Sequence, residues 1–115
     1  MSDSRNSVQL IGHLGHDVEL TTFESGTKMA HFRMATNEHY TNAKGEPVEE
    51  TQWHRVVTWG KLAEKVENLS KGTEVMVQGK LVSRSYDDKE GNKRYITEVK
   101  ANSVVSITQP EKLPF

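Results

Sequence analysis

The segment TQWHRVVTWGKLAE, residues 51–64, holds both tryptophans of the chain. Side chains alternate along an extended strand, so Trp53, Arg55, Val57 and Trp59 share one face and His54, Val56 and Thr58 the other. Indole plates with a guanidinium between them suit an unpaired nucleic acid: bases stack on the rings and phosphates pair with the cation. The competing assignment is core, because tryptophan is large and usually mostly buried. Two such rings on one face beside Arg55 are hard to bury together. Tyr40, at the end of the preceding strand, and Tyr86, in the segment 82–93, add plates near the rim. Lys80, Arg84, Lys89, Lys93 and Arg94 gather along that segment and its two ends, so a locally basic arm is expected.

Other chemistries find little support. Hydrolysis needs a paired acid and base or an activated nucleophile, and the carboxylates lie mostly beside lysines in loops and on one helix. His13 and His16 have an H-x-x-H spacing, but a tetrahedral zinc site wants three or four ligands held together. No G-x-x-x-x-G-K-[ST] loop is present to cradle a phosphate. The reading is a binder with no metal and no cofactor.

The elements that must position these residues follow from periodicity. SVQLIGHL (7–14) alternates as a half-buried strand, with Gly12 where it bends or is closely approached. Residues 18–23 continue it as a short second piece, and ESGTK (24–28) is a turn. Strands are predicted over 29–37 and 50–59, with a loop at 42–47 between them. Over 61–69 the period changes: Leu62, Val66 and Leu69 form one stripe of a short helix, with Gly72 as its left-handed cap. A long strand over 74–84 carries Gly79 as a kink or bulge, and a hairpin at 87–93 leads to a last strand over 94–107. Periodicity alone gives a small, mostly-β barrel with one helix after the third strand.

A chain of 115 residues allows one domain. Hydrophobic residues make up 34% and glycines number 8, short of roughly 45–50% for globular domains even when counted together. The core is therefore small, and self-association is a natural way to finish burying it. The net charge of −1 carries no global basic signal, so attraction to a polyanion must be local. The lack of cysteine excludes disulfides and thiolate chemistry. No apolar run approaches the roughly 18–20 residues of a membrane span, and MSDSRNS lacks the apolar centre of a signal peptide. The expectation is a soluble intracellular protein.

The block TQWHRVVTWGKLAEKVENLSKGTEVMVQGKL (51–81) resembles the bacterial single-stranded DNA-binding protein family. So do SVQLIGHLGHDVEL with its turn ESGTK, HFRMATNE, and RSYDDKEGNKRYITEV, so that the similarity covers about 5–107. The resemblance implies an all-β OB-fold, a five-stranded Greek-key barrel with one short helix between strands 3 and 4, over residues 1–108. It implies a homotetramer in the bacterial cytoplasm, on the nucleoid. It also implies sequence-independent binding and protection of single-stranded DNA in replication, recombination and repair. Trp53 matches the family's base-stacking tryptophan. Trp59 stands where the family usually has a DNA-contacting phenylalanine, and Tyr40 and Tyr86 where many members have stacking tryptophans. Arg33, Arg55, Lys61, Lys80, Arg84, Lys89, Lys93 and Arg94 complete the expected DNA-binding set. His54 matches a histidine of the family's subunit interface.

The end of the chain departs from the pattern. The family usually carries a Gly/Gln/Pro-rich linker and an acidic tip; here QPEKLPF (109–115) follows the barrel as a short tail. Leu113, Pro114 and Phe115 keep the apolar end through which replication and repair proteins would dock, but Lys112 opposes basic pockets, so weak or altered docking is expected. Two rivals are a dimeric OB protein of the primosome, dominated by protein contacts, and an OB-type nuclease using a metal and carboxylates.

Overall fold

The computed structural model describes residues 5–107. Its elements are β1 (Val8–Leu14), β2 (Glu19–Thr22), β3 (Lys28–Thr41), β4 (Pro47–Trp59), α1 (Lys61–Val66), β5 (Glu74–Asp87) and β6 (Lys93–Ser106). The hydrogen-bonded order is β1-β5-β6-β4-β3-β2, and β1 also pairs with β3. That extra pairing closes five staves into a barrel. The β4–β6 pair is parallel and the others are antiparallel.

The first stave is broken. β1 meets β3 at His13↔Ala35 and Leu14↔Met34, the chain leaves the ladder over 15–18, and β2 rejoins it from Glu19↔His31 to Thr22↔Lys28. Counted as one stave, β1 and β2 give the expected five strands, with α1 between the third and fourth. The fold is the OB-fold that the resemblance implied.

Inward-facing residues alternate as the pleat requires. Phe32 and Met34 of β3, Val56 of β4, Val75 and Val77 of β5, Val99 and Val104 of β6 and Leu14 of β1 are buried together. α1 plugs one end with Ala63 and Val66, while Leu62 and Leu69 pack at its margin. The helix is shorter than the stripe predicts. It stops at Glu67, and Leu69 N–H then bonds Val66 C=O at 3.0 Å in a tighter turn that still keeps Leu69 against the core. Gly72 is not its cap. It has the positive φ expected of it, but it lies in the turn into β5, where its N–H bonds Leu14 C=O.

Gly79 sits at the register shift between β5 and β6, where an added Cβ would collide with Lys100 C=O. The bulge expected there is present, and Asn102 is the β6 residue left out of the ladder. The β3–β4 and β5–β6 hairpins run further than the sequence predicts, to Thr41↔Pro47 and Asp87↔Lys93. Beyond the barrel most of their residues are exposed, so hydrophobic alternation fades while the backbone ladder continues.

Candidate nucleic-acid interface

Strand register assembles one continuous outer face on β3, β4, β6 and β5. Arg33 pairs with Arg55 and Ala35 with Trp53; Val57 is opposite Lys100; Val82 is opposite Glu98, Lys80 opposite Lys100, and Tyr86 opposite Arg94. Trp53, Arg55, Val57 and Trp59 therefore do share a face, and it is the outer one. Trp53 is 54% exposed and Trp59 42%, so neither ring is core.

Each tryptophan is held in its own way. The Arg33 guanidinium lies over the Trp53 ring, 5.7 Å from its centroid, a cation–π contact. The ring edge rests against Gly15, where an added Cβ would stand 2.5 Å from Trp53 Cζ3. His16 closes this corner. Asp17 C=O can only accept, so His16 Nδ1 carries the proton it donates at 2.7 Å, and Nε2 accepts from Arg33 N–H at 3.2 Å. Gly15, His16, Arg33 and Trp53 line a shallow concavity of ≈ 240 Å³. Trp59 stacks on Phe23, with centroids 5.9 Å apart and planes 17° from parallel. Beside Trp59 lies a second concavity of ≈ 360 Å³, floored by Met29, Val57 and Val82 and rimmed by Arg55, Arg84, Glu98 and Lys100.

The cations are not equally available. Arg55 and Arg84 both donate to Glu98, at 2.7 and 2.9 Å. Arg94 donates to Asp88 at 2.9 Å. With the Glu90 and Asn92 N–H groups it holds the Asp88 carboxyl below the usual carboxylate range. Among the described residues Lys61, Lys80, Lys89, Lys93 and Lys100 make no ion pair.

The face thus gathers Trp53, Trp59, Tyr86, Arg33, Arg55, Lys80, Arg84 and Arg94 from the expected set. Tyr40 is exposed, but alternation along β3 puts it on the side of the ribbon away from Ala35 and Trp53, opposite Val48. Lys93 pairs with Asp87 and lies on the reverse side of its arm, Lys89 is at the hairpin tip, and Lys61 opens α1. His54 points away from Trp53 as predicted, and its Nε2 lies 2.9 Å from Thr36 Oγ1. Leu113, Pro114 and Phe115 lie outside the described residues.

Sequence reasoning missed Phe23, His16, Lys100 and Glu98. Lys100 and Glu98 were within reach of alternation once the β4–β6 pairing was known. Phe23 and His16 come to the tryptophans through the broken first stave, which leaves no periodic signal.

A small closed β-barrel with aromatic plates and cations on one outer sheet face defines the class of OB-fold ligand-binding barrels. Within it, the chain belongs to the single-strand binding protein family, whose model matches residues 5–107. It is 45% identical over 101 residues to a single-stranded DNA-binding protein 1 of Chlorobaculum tepidum, covering 86% of this chain and 62% of that one. It is 45% identical over 103 residues to the protein of the same name from Xylella fastidiosa, covering 88% and 76%. The chain therefore spans less than two thirds of the Chlorobaculum relative. Among solved structures, a Plasmodium falciparum SSB in complex with ssDNA superposes with a TM-score of 0.83 at 29% identity, covering 94% of this chain and 99% of that one. A deletion mutant of the single-stranded DNA-binding protein from Thermus aquaticus gives 0.82 at 27%, covering 91% and 51%.

Proposed function

We propose that this protein binds and protects single-stranded DNA without sequence preference, as a non-catalytic homotetramer serving replication, recombination and repair in the bacterial cytoplasm. The observation that carries the reading is the exposure of Trp53 and Trp59 on one face among Arg33, Arg55, Lys80, Arg84 and Lys100. Every base has a π-face, so stacking on such plates is indifferent to sequence. A duplex hides those faces within its own stack and cannot use the rings. The Plasmodium structure, an SSB bound to ssDNA on a closely similar fold, supports the same ligand.

Titration of oligo-dT and, separately, of a duplex while following tryptophan fluorescence tests this reading. Strong quenching by oligo-dT and weak quenching by duplex is expected. No quenching by either rejects it.

The tetramer rests on a different surface. Ile11, Met76 and Val105 are cross-strand neighbours on the outer face of β1, β5 and β6, and Ile11 is 50% exposed. Among the described residues β1 pairs with β3 only at His13 and Leu14, and its second edge from Val8 to Gly12 has no strand partner. An open edge and an apolar row favour pairing with other copies. A solution mass equal to two chains would instead favour the dimeric primosome-type rival. Docking of replication and repair proteins through Leu113, Pro114 and Phe115 is tested by a pull-down with and without Phe115. Equal recovery rejects it.

A further inference from the structure

Glu98 is a buried charge at the centre of the stacking face. Its side chain is 5% exposed, yet register points it outward from β6, not into the barrel. Two guanidiniums cover it. Arg55 of β4 donates Nε–H to Oε2 at 2.7 Å, and Arg84 of β5 donates Nε–H to Oε1 at 2.9 Å. β4 and β5 flank β6, so one carboxylate ties three staves together at the surface.

A negative group amid cations is, by charge alone, unfavourable on a surface that takes a polyanion. The geometry supplies a compensating role. An arginine engaged through Nε uses the side edge of its guanidinium. The terminal Nη pair stays as a planar fork, the edge suited to two parallel bonds with a phosphate. Both side chains are fixed before any ligand arrives, so binding need not order them again. The same two arginines rim the concavity beside Trp59, where a stacked base would bring its flanking phosphates.

We infer that Glu98 is a positioning residue for phosphate contacts: it holds Arg55 and Arg84 with their terminal forks turned to the strand stacked at Trp59. The inference rests on the single-strand reading above. Simple electrostatics predicts the opposite sign for its removal, which makes the test decisive.

Oligo-dT is titrated into wild-type, Glu98→Gln and Arg84→Gln protein over a series of salt concentrations, with tryptophan quenching as readout and circular dichroism as the fold control. Glu98→Gln keeps the size of the side chain and makes the face more positive. Weaker binding at every salt concentration is nevertheless expected. Its log–log salt slope should be shallower by up to about 1.4, two phosphates at about 0.7 each for a single strand. Binding that is unchanged or tighter overturns the inference. If Glu98→Gln does not fold, Arg84→Gln decides, since that side chain is 50% exposed and its removal leaves the core intact. A slope shallower by about 0.7 is expected for it, and an unchanged slope overturns the inference. A wild-type protein that oligo-dT does not quench defeats the single-strand reading itself, before any variant is compared.

Discussion

At the scale of single residues the proposed interface is two differently supported plates. Trp53 is backed by Arg33 on its ring and Gly15 at its edge, while Trp59 is backed by Phe23. Because the Trp53 ring is half exposed and outside the core, Trp53→Ala should cost about 1–3 kcal/mol of oligo-dT affinity with little change in melting temperature. Unchanged affinity at an unchanged melting temperature rejects its stacking role. Phe23→Ala should weaken binding at Trp59 without altering the salt slope, since it removes a ring and no charge. A titration that shows a changed slope would instead place Phe23 in the ionic part of the interface. The Trp53 and Trp59 plates were legible in the sequence because strict alternation fixes their common face whatever the register. Glu98 was not, because the arginines that cover it, Arg55 and Arg84, stand 43 and 14 residues away on two other strands. Tyr40 was legible as an exposed ring but not in its orientation, which depends on counting through the hairpin.

At the scale of elements the three antiparallel hairpins share one loop. In Phe23–Thr27, Asn42–Glu46 and Asp88–Asn92 the first N–H bonds the fifth C=O, and the fourth residue is a glycine with positive φ whose N–H returns to the first C=O. Asn42 and Asp88 use a side-chain oxygen to accept the third and fifth N–H groups, an Asx cap. Phe23 occupies the same first position but cannot cap, and its ring is spent on Trp59 instead. Turn chemistry made all three loops readable, yet not the reach of the arms, whose exposed ends carry no alternating pattern. Asp88 makes the β5–β6 arm sensitive to acid. Its pKa is lowered from 3.8 on folding, first by Arg94 and then by backbone N–H groups, so its contribution is present above that value and lost as pH falls through the lower folded value. The protection factors of the Glu90 and Asn92 amides, exchange measured against the intrinsic rate at each pH, should fall only in that acid window. Asp88→Ala should show the lower protection already at neutral pH; protection equal to wild type would remove Asp88 from the arm's stability. At the barrel corner, Gly79→Ala would press a methyl group onto the Lys100 carbonyl. A loss of about 1–3 kcal/mol, as for other overpacked sites, is expected in urea unfolding, and an unchanged midpoint would mean that the bulge relaxes freely.

At the scale of the whole molecule the chain separates two kinds of surface. Its net charge is −1, but Arg33, Arg55, Lys80, Arg84, Arg94 and Lys100 share the face with the tryptophans, while the Ile11, Met76 and Val105 row lies across β1, β5 and β6. With 34% hydrophobic residues the barrel has little apolar side chain to spare, so an apolar row left on the surface is costly unless covered. Met76 is the middle of that row, flanked by Ile11 and Val105. Met76→Glu would bury an unpaired charge in any contact between copies while leaving the barrel core and the tryptophan face untouched. Light scattering should show the wild type at the mass of four chains and the variant at a smaller assembly. The DNA readout then separates the contribution of one barrel from that of the assembly. A strand long enough for one barrel only should bind the variant and the wild type alike, because the same plates and cations serve it. A strand long enough to cross several barrels gains from their linkage, which can raise affinity by about 10²–10⁴ without new contacts. That gain should vanish in Met76→Glu. A smaller assembly that still binds the long strand as tightly as the wild type would show that wrapping across subunits is not how this protein holds DNA. A mass unaffected by the substitution would move the subunit contact elsewhere, leaving the open β1 edge as the next surface to charge.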